Sequence, residues 1–138
     1  MNWITPKTNW TVNDDILISD FNRIIGNLEF LQDKFQKLGY KYQLIPTGNV
    51  TRSRADVLFV LNSIEDNTEE TASKTLRRPD YRGKVEQYGN TPIWDYRDFN
   101  RIEGNIKGFE QTTKAVTESA YMIPMYCGVG LLADKVVI

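Results

Sequence analysis

Phe21-Asn22-Arg23-Ile24-Ile25-Gly26-Asn27 decides how this chain folds, because the chain repeats the phrase twice. It returns as Leu61-Asn62-Ser63-Ile64-Glu65-Asp66-Asn67 and as Phe99-Asn100-Arg101-Ile102-Glu103-Gly104-Asn105. The shared form is apolar-Asn-x-Ile-x-x-Asn. An offset of forty also aligns Pro6 with Pro46, Asn9 with Asn49 and Thr11 with Thr51. That makes six identities over 22 positions, where unrelated sequence would give about one. The third copy has a shorter lead-in, with Pro92 and Trp94 close before it. The core motif is therefore Phe21, Ile24 and Asn27, with Leu61, Ile64 and Asn67, and Phe99, Ile102 and Asn105.

Working outward, the first copy opens an apolar stripe of Phe21, Ile24, Leu28, Leu31, Phe35 and Leu38, spaced 3-4-3-4-3. This predicts a helix over about 18–38. Ser19 or a residue just before it starts the helix, Asp20 suits its positive end, and Gly39 supplies a left-handed cap. Asp20, Arg23 and Asn27 share one shoulder of the stripe and read as a hydrogen-bonded polar edge to the helix contact. A second helix is expected over about 54–67, capped by Ser53. Val57, Leu61 and Ile64 form its buried side, and Thr68 and Thr71 end the stripe. A third is expected over about 96–117, capped by Asp95, with Phe99, Ile102, Ile106 and Phe109 repeating the stripe.

Between the helices, Tyr40 to Ile45 alternates like a short strand or an extended crossing segment. Residues 68–90 are polar and read as a loop-rich stretch. An acidic patch (Glu65, Asp66, Glu69, Glu70) straddles its start, and the basic cluster that follows (Lys74, Arg77, Arg78, Arg82, Lys84) reads as solvated surface charge, with a phosphate or an acidic neighbour as the alternative. Residues 1–15 read as an extended arm carrying Trp3 and Trp10, which pack either on their own core or into a neighbouring subunit. The segment from Tyr121 to Ile138 reads as extended chain or a small hairpin. Its end, Val136-Val137-Ile138, should be buried either internally or against a second chain. The whole is expected to be one mainly α domain of three helices, with an extended N-terminal arm and a short β or extended C-terminal segment.

Gly26 and Phe30 lie opposite the first stripe, and Gly104 and Gly108 mark the same back face of the third helix. Glycines four apart let another backbone come close, either this chain's own arm or loop or a partner's surface. With Trp3, Trp10, Val136, Val137 and Ile138 they make up the candidate interface.

Chemistry is bounded by what the chain lacks. It has no histidine and a single cysteine, which removes the commonest general base and metal ligand and any internal disulfide framework. Cys127 reads as a small buried hydrophobe. Net charge is -1, against the basic surplus of a nucleic-acid-binding face. Met1-Asn2-Trp3-Ile4 lacks the charged start and apolar run of a secretory leader, and the longest apolar run, Val57 to Leu61, is too short to span a bilayer. No phosphate-cradling glycine loop accompanies Gly83 and Gly89. No enzyme, cofactor, metal or membrane insertion is expected.

Trp3-Ile4-Thr5-Pro6-Lys7-Thr8-Asn9-Trp10, followed by Asp20-Phe21-Asn22-Arg23-Ile24 and Asn27-Leu28-Glu29-Phe30-Leu31, resembles small tail or baseplate-associated proteins of phages, prophages and phage-tail-like bacteriocins of Gram-positive bacteria. In that family successive helices begin with an acidic-[Phe/Tyr/Leu]-Asn-x-Ile-x-x-Asn phrase, and the chain ends in a short apolar extended segment. The likeness covers most of the chain outside about 68–90. Leu17 departs from it where a capping Asn or Asp is usual, and Val60 replaces the acid of the second copy. The resemblance implies a non-enzymatic virion tail component, assembled in the bacterial cytoplasm. It would work by homo-oligomerisation and docking to other tail or baseplate proteins, with no catalytic residues. The alternative is a host cell-wall saccharide-binding module that uses its tryptophans and tyrosines as stacking platforms. A carboxylate-dependent wall hydrolase would need two acids about 5–9 Å apart across a cleft, and a small helical bundle offers little cleft.

Overall fold

The computed structural model describes residues 2–54, 56–85 and 94–128, with side chains through 118. It is mainly helical, and no strand occurs among the described residues. The helices are α1 (Ile18–Lys37), α2 (Val57–Lys74) and α3 (Tyr96–Gly128), and each contacts the other two.

α1 starts without an accepting side chain at Leu17, its N-cap residue. Asp20 compensates by reaching back to the Leu17 N–H at 2.7 Å, and it also complements the helix dipole. The other end closes as a Schellman motif: Gly39 adopts φ 99°, its N–H donates to Gln36 C=O, and Tyr40 N–H donates to Phe35 C=O. The accompanying contact is the Phe35 and Tyr40 rings at 5.6 Å. α3 opens with the reciprocal version of the box. Asp98 accepts from Asp95 N–H at 3.0 Å, while Asp95 accepts from the Arg97 and Asp98 N–H groups.

α2 begins three residues later than the sequence suggests and runs seven further. Ser53 does not cap it: its hydroxyl pairs with that of Thr51, and Arg54 ties Asp56 and the carbonyls of Thr47 and Asn49 into a loop. The extension arises because Thr68 and Thr71 are core residues. Their hydroxyls donate to the carbonyls of Ile64 and Asn67, four residues back, so both are buried with the polar group satisfied. In α3 the hydroxyls of buried Thr112 and half-buried Thr117 likewise donate to carbonyls four residues back. Residues 68–74, expected as loop, are thus helix, and Glu65 is buried rather than solvated. α3 continues through Gly128, so residues 121–128 are helical rather than extended. Side chains beyond 118, Cys127 included, and Val136, Val137 and Ile138 lie outside the described residues. Tyr40 to Ile45 crosses as extended chain without pairing as a strand.

The three helices run parallel. Phe21 packs 5.5 Å from Phe99 and lines one hollow with Val57 and Val60; further along, Ile25 and Leu28 line another with Ile64 and Asn67. A parallel arrangement obliges the chain to travel back up the bundle before each new helix. The core closes around Ile24, Leu28, Leu31, Phe35, Leu61, Ile64, Phe99, Ile102, Ile106 and Phe109, with Trp10 and Trp94 over its upper end. Phe21 is only partly buried, sitting beside Trp94 and Phe99.

Candidate functional site

The residues singled out by the repeat meet the returning segments. Asn27 accepts from Ile4 N–H (3.0 Å) and donates to Ile4 C=O (2.7 Å). Asn67 does the same to Ile45 at 2.7 and 3.1 Å, and Asn105 to Arg82 at 3.0 and 2.7 Å. Each carboxamide therefore clamps both polar groups of one residue of the segment leading into its own helix, the only kind of side chain that can accept and donate side by side. The earlier asparagine of the phrase clamps the lead-in of the next helix around the ring. Asn22 of α1 holds Val50, and Asn100 of α3 holds Trp10, each through both backbone groups. Asn62 also has an interaction partner. Each lead-in thus lies in a groove between two helices. Residues 4–10 lie over α1 and α3, 45–50 over α2 and α1, and 82–85 over α3 and α2.

Beneath two of these grooves lies a buried ion pair. Arg23 donates to both oxygens of Glu103 (2.8 and 2.6 Å) and to Asp20 (2.8 Å). Glu103 also accepts the Trp10 indole N–H at 2.8 Å and Lys7 N–H at 3.1 Å. Arg101 likewise bonds both oxygens of Glu65 and, at 3.3 Å, Asp98, while Val85 N–H donates to Glu65 at 3.3 Å. The Glu103 bonds hold the Arg23 guanidinium above its ordinary pKa; for Arg101, burial pulls downward and the Glu65 bonds outweigh it. In the third groove the corresponding positions are Val60, Ser63 and Ile25, all buried and none charged. Acid, arginine and receiving carboxylate are missing together, as expected when an unpaired buried charge costs several kcal/mol.

The candidate interface residues are placed as follows. Trp10 is buried in its own chain, packed 4.9 Å from Phe99. Trp3 is half-buried against Phe30 at 5.6 Å. A methyl group at Gly104 or Gly108 would meet the chain's own Arg82 (3.6 Å) or Arg78 (3.2 Å), whereas Gly26 faces open space within 4 Å. The basic stretch after α2 is largely paired: Arg77 with Glu69, Arg78 with Asp80 and Lys84 with Asp66.

The backbone-clamping role of the asparagines was not visible in their spacing. The available signal lay in the first two lead-ins, where Pro6, Asn9 and Thr11 return as Pro46, Asn49 and Thr51 ahead of the helix. Among the described residues, no acidic or thiol group of three or more is arranged to hold a metal ion, and no helix is long and apolar enough to cross a membrane. Comparison with known families, curated proteins and solved structures finds no match to this chain.

Proposed function

We propose that this chain is a non-enzymatic structural adaptor of a phage tail tip, baseplate or fibre-attachment complex, built from three related units. Each unit is an extended lead-in followed by a helix bearing the double-asparagine phrase. The observation that carries the reading is the saturation of Glu65 and Glu103. Among the described residues they are the most deeply buried carboxylates, and arginine, indole and backbone donors occupy their oxygens. Glu103 is committed to four donors and Glu65 to three, which leaves neither carboxylate free to move a substrate proton. The bidentate asparagines are likewise spent on holding backbone. Polar groups used this way specify one rigid shape, which is what an assembly component needs.

Against the saccharide-binding alternative, Trp10 is interior and Trp3 is engaged by Phe30, which leaves its stacking platforms to the tyrosines. Quantitative mass spectrometry and antibody-labelled electron microscopy of purified particles test the adaptor reading. The expected result is the protein in fixed ratio to the tail proteins, at one end of the tail. Its absence from intact particles would overturn the reading.

A further inference from the structure

Seven large apolar side chains stay exposed at one end of the bundle. They are Val12, Ile16, Leu17 and Ile18, leading into and opening α1, and Val57, Leu58 and Phe59, opening α2. Val12 is 77% and Leu17 59% exposed. The two helix starts are neighbours, because Leu17 and Ile18 stand one turn before Phe21, which shares a hollow with Val57 and Val60 of α2. Helix starts are normally the most polar part of a helix, so apolar residues at two of them require a separate cause.

We infer that this end of the bundle is a self-association surface, occupied by the same end of a second copy. The inference rests on the adaptor reading for its purpose and on two observations for its occupant. The first is size. Summed over the seven residues, on the order of 600 Å² stays in water, as much as the largest apolar patch of a lone monomer reaches. A standard interface takes about 800 Å² per partner, a little over half of it apolar, so this patch supplies what a stable dimer needs. The second is internal likeness. In the register of the repeat Leu17 matches Val57 and Ile18 matches Leu58, so the patch has two similar lobes. A twofold contact requires one surface to complement itself. Setting the α1 lobe of each copy against the α2 lobe of the other meets that requirement. The Arg54–Asp56 pair beside Val57 carries both signs, so it imposes no net like-charge repulsion.

Sedimentation velocity of the full chain, from about 1 µM to about 200 µM, tests this. The monomer is 16.0 kDa, and the expected result is a concentration-dependent rise to twice that mass. Leu17→Glu and Phe59→Glu should each weaken association at least about 100-fold, while Leu76→Glu, exposed elsewhere, should leave it unchanged. Circular dichroism verifies that each variant keeps its helices. Val12→Asp, outside any helix, replaces Phe59→Glu if that variant unfolds. A 16.0 kDa species throughout overturns the inference, as does a dimer indifferent to Leu17→Glu and Val12→Asp. A monomer that captures a different tail protein through this patch overturns it too. Presence in particles with monomeric behaviour in solution would sink this inference alone, and a dimer absent from particles would sink only the adaptor reading.

Discussion

Removing one partner of the Arg101–Glu65 pair should cost far more than removing both. Glu65 and Arg101 have side chains only 1% and 10% exposed. In Arg101→Ser, Glu65 keeps a single weak donor, Val85 N–H at 3.3 Å, and its charge is left in the interior. In Glu65→Ile, the guanidinium retains only Asp98 and the Gly83 carbonyl, both at 3.3 Å. Each single change should therefore cost about 3–5 kcal/mol. The double variant places the Ser and Ile of positions 63 and 25 in this groove and leaves only Asp98 charged, a side chain 25% exposed that still accepts from Asp95 N–H. It should cost about 1–2 kcal/mol, mostly from imperfect packing. The coupling energy in the double-mutant cycle is then about 4 kcal/mol or more in favour of the pair. Urea unfolding followed by far-ultraviolet circular dichroism measures all four corners. In thermal melts the single variants should fall by roughly 10–20 °C. Single variants costing less than about 1 kcal/mol, or a double variant equal to their sum, would refute the reasoning that the charges are retained as matched sets.

Asn27→Ala, Asn67→Ala and Asn105→Ala should each cost about 2–3 kcal/mol by orphaning a backbone donor and acceptor together, and hydrogen exchange should show the loss specifically at the amides of Ile4, Ile45 and Arg82. Gly26→Ala should stabilise the fold by about 0.5–1 kcal/mol, because it relieves a mid-helix glycine and nothing lies within 4 Å of the new methyl; a drop in Tm would contradict this. The Tyr42 hydroxyl is buried without a hydrogen-bond partner among the described residues, and burial pushes its pKa up to about 12. Tyr42→Phe should accordingly be neutral or stabilising by about 1 kcal/mol at pH 7. The unfolded chain releases this proton near pH 10, so the wild type should lose stability as pH rises from about 10 towards 12, and the phenylalanine variant should lose less.

Much of α1 could be read directly, because its stripe, first-turn aspartate and terminal glycine each act through local geometry that sequence spacing encodes. Periodicity also located the second and third helices. Their lengths were less visible, for a chemical reason: Thr68 and Thr71 count as polar by composition, yet a helical threonine can return its hydroxyl to its own backbone and bury its methyl. The asparagines and arginines stood out as repeated, and Asp20, Arg23 and Asn27 did share a polar shoulder. Their partners could not be inferred, because Glu103 lies eighty residues from Arg23 and Ile4 lies twenty-three from Asn27. Which extended segment enters which groove depends on the order of the helices around the axis, and no local pattern reports that.

That circular order can itself be read in the charges. Three parallel helices can be arranged clockwise or anticlockwise with much the same apolar core, so hydrocarbon alone discriminates weakly between the mirror topologies. Here Arg23 meets the carboxylate of α3, and Arg101 meets that of α2. In the opposite winding Arg23 would still find Glu65, but Arg101 would confront Ile25 and Glu103 would confront Ser63. Two stranded ions would then sit in the interior, at several kcal/mol each. Had all three grooves carried the full pair, either winding would have satisfied every charge. The single neutral groove is what makes the sense of rotation unambiguous.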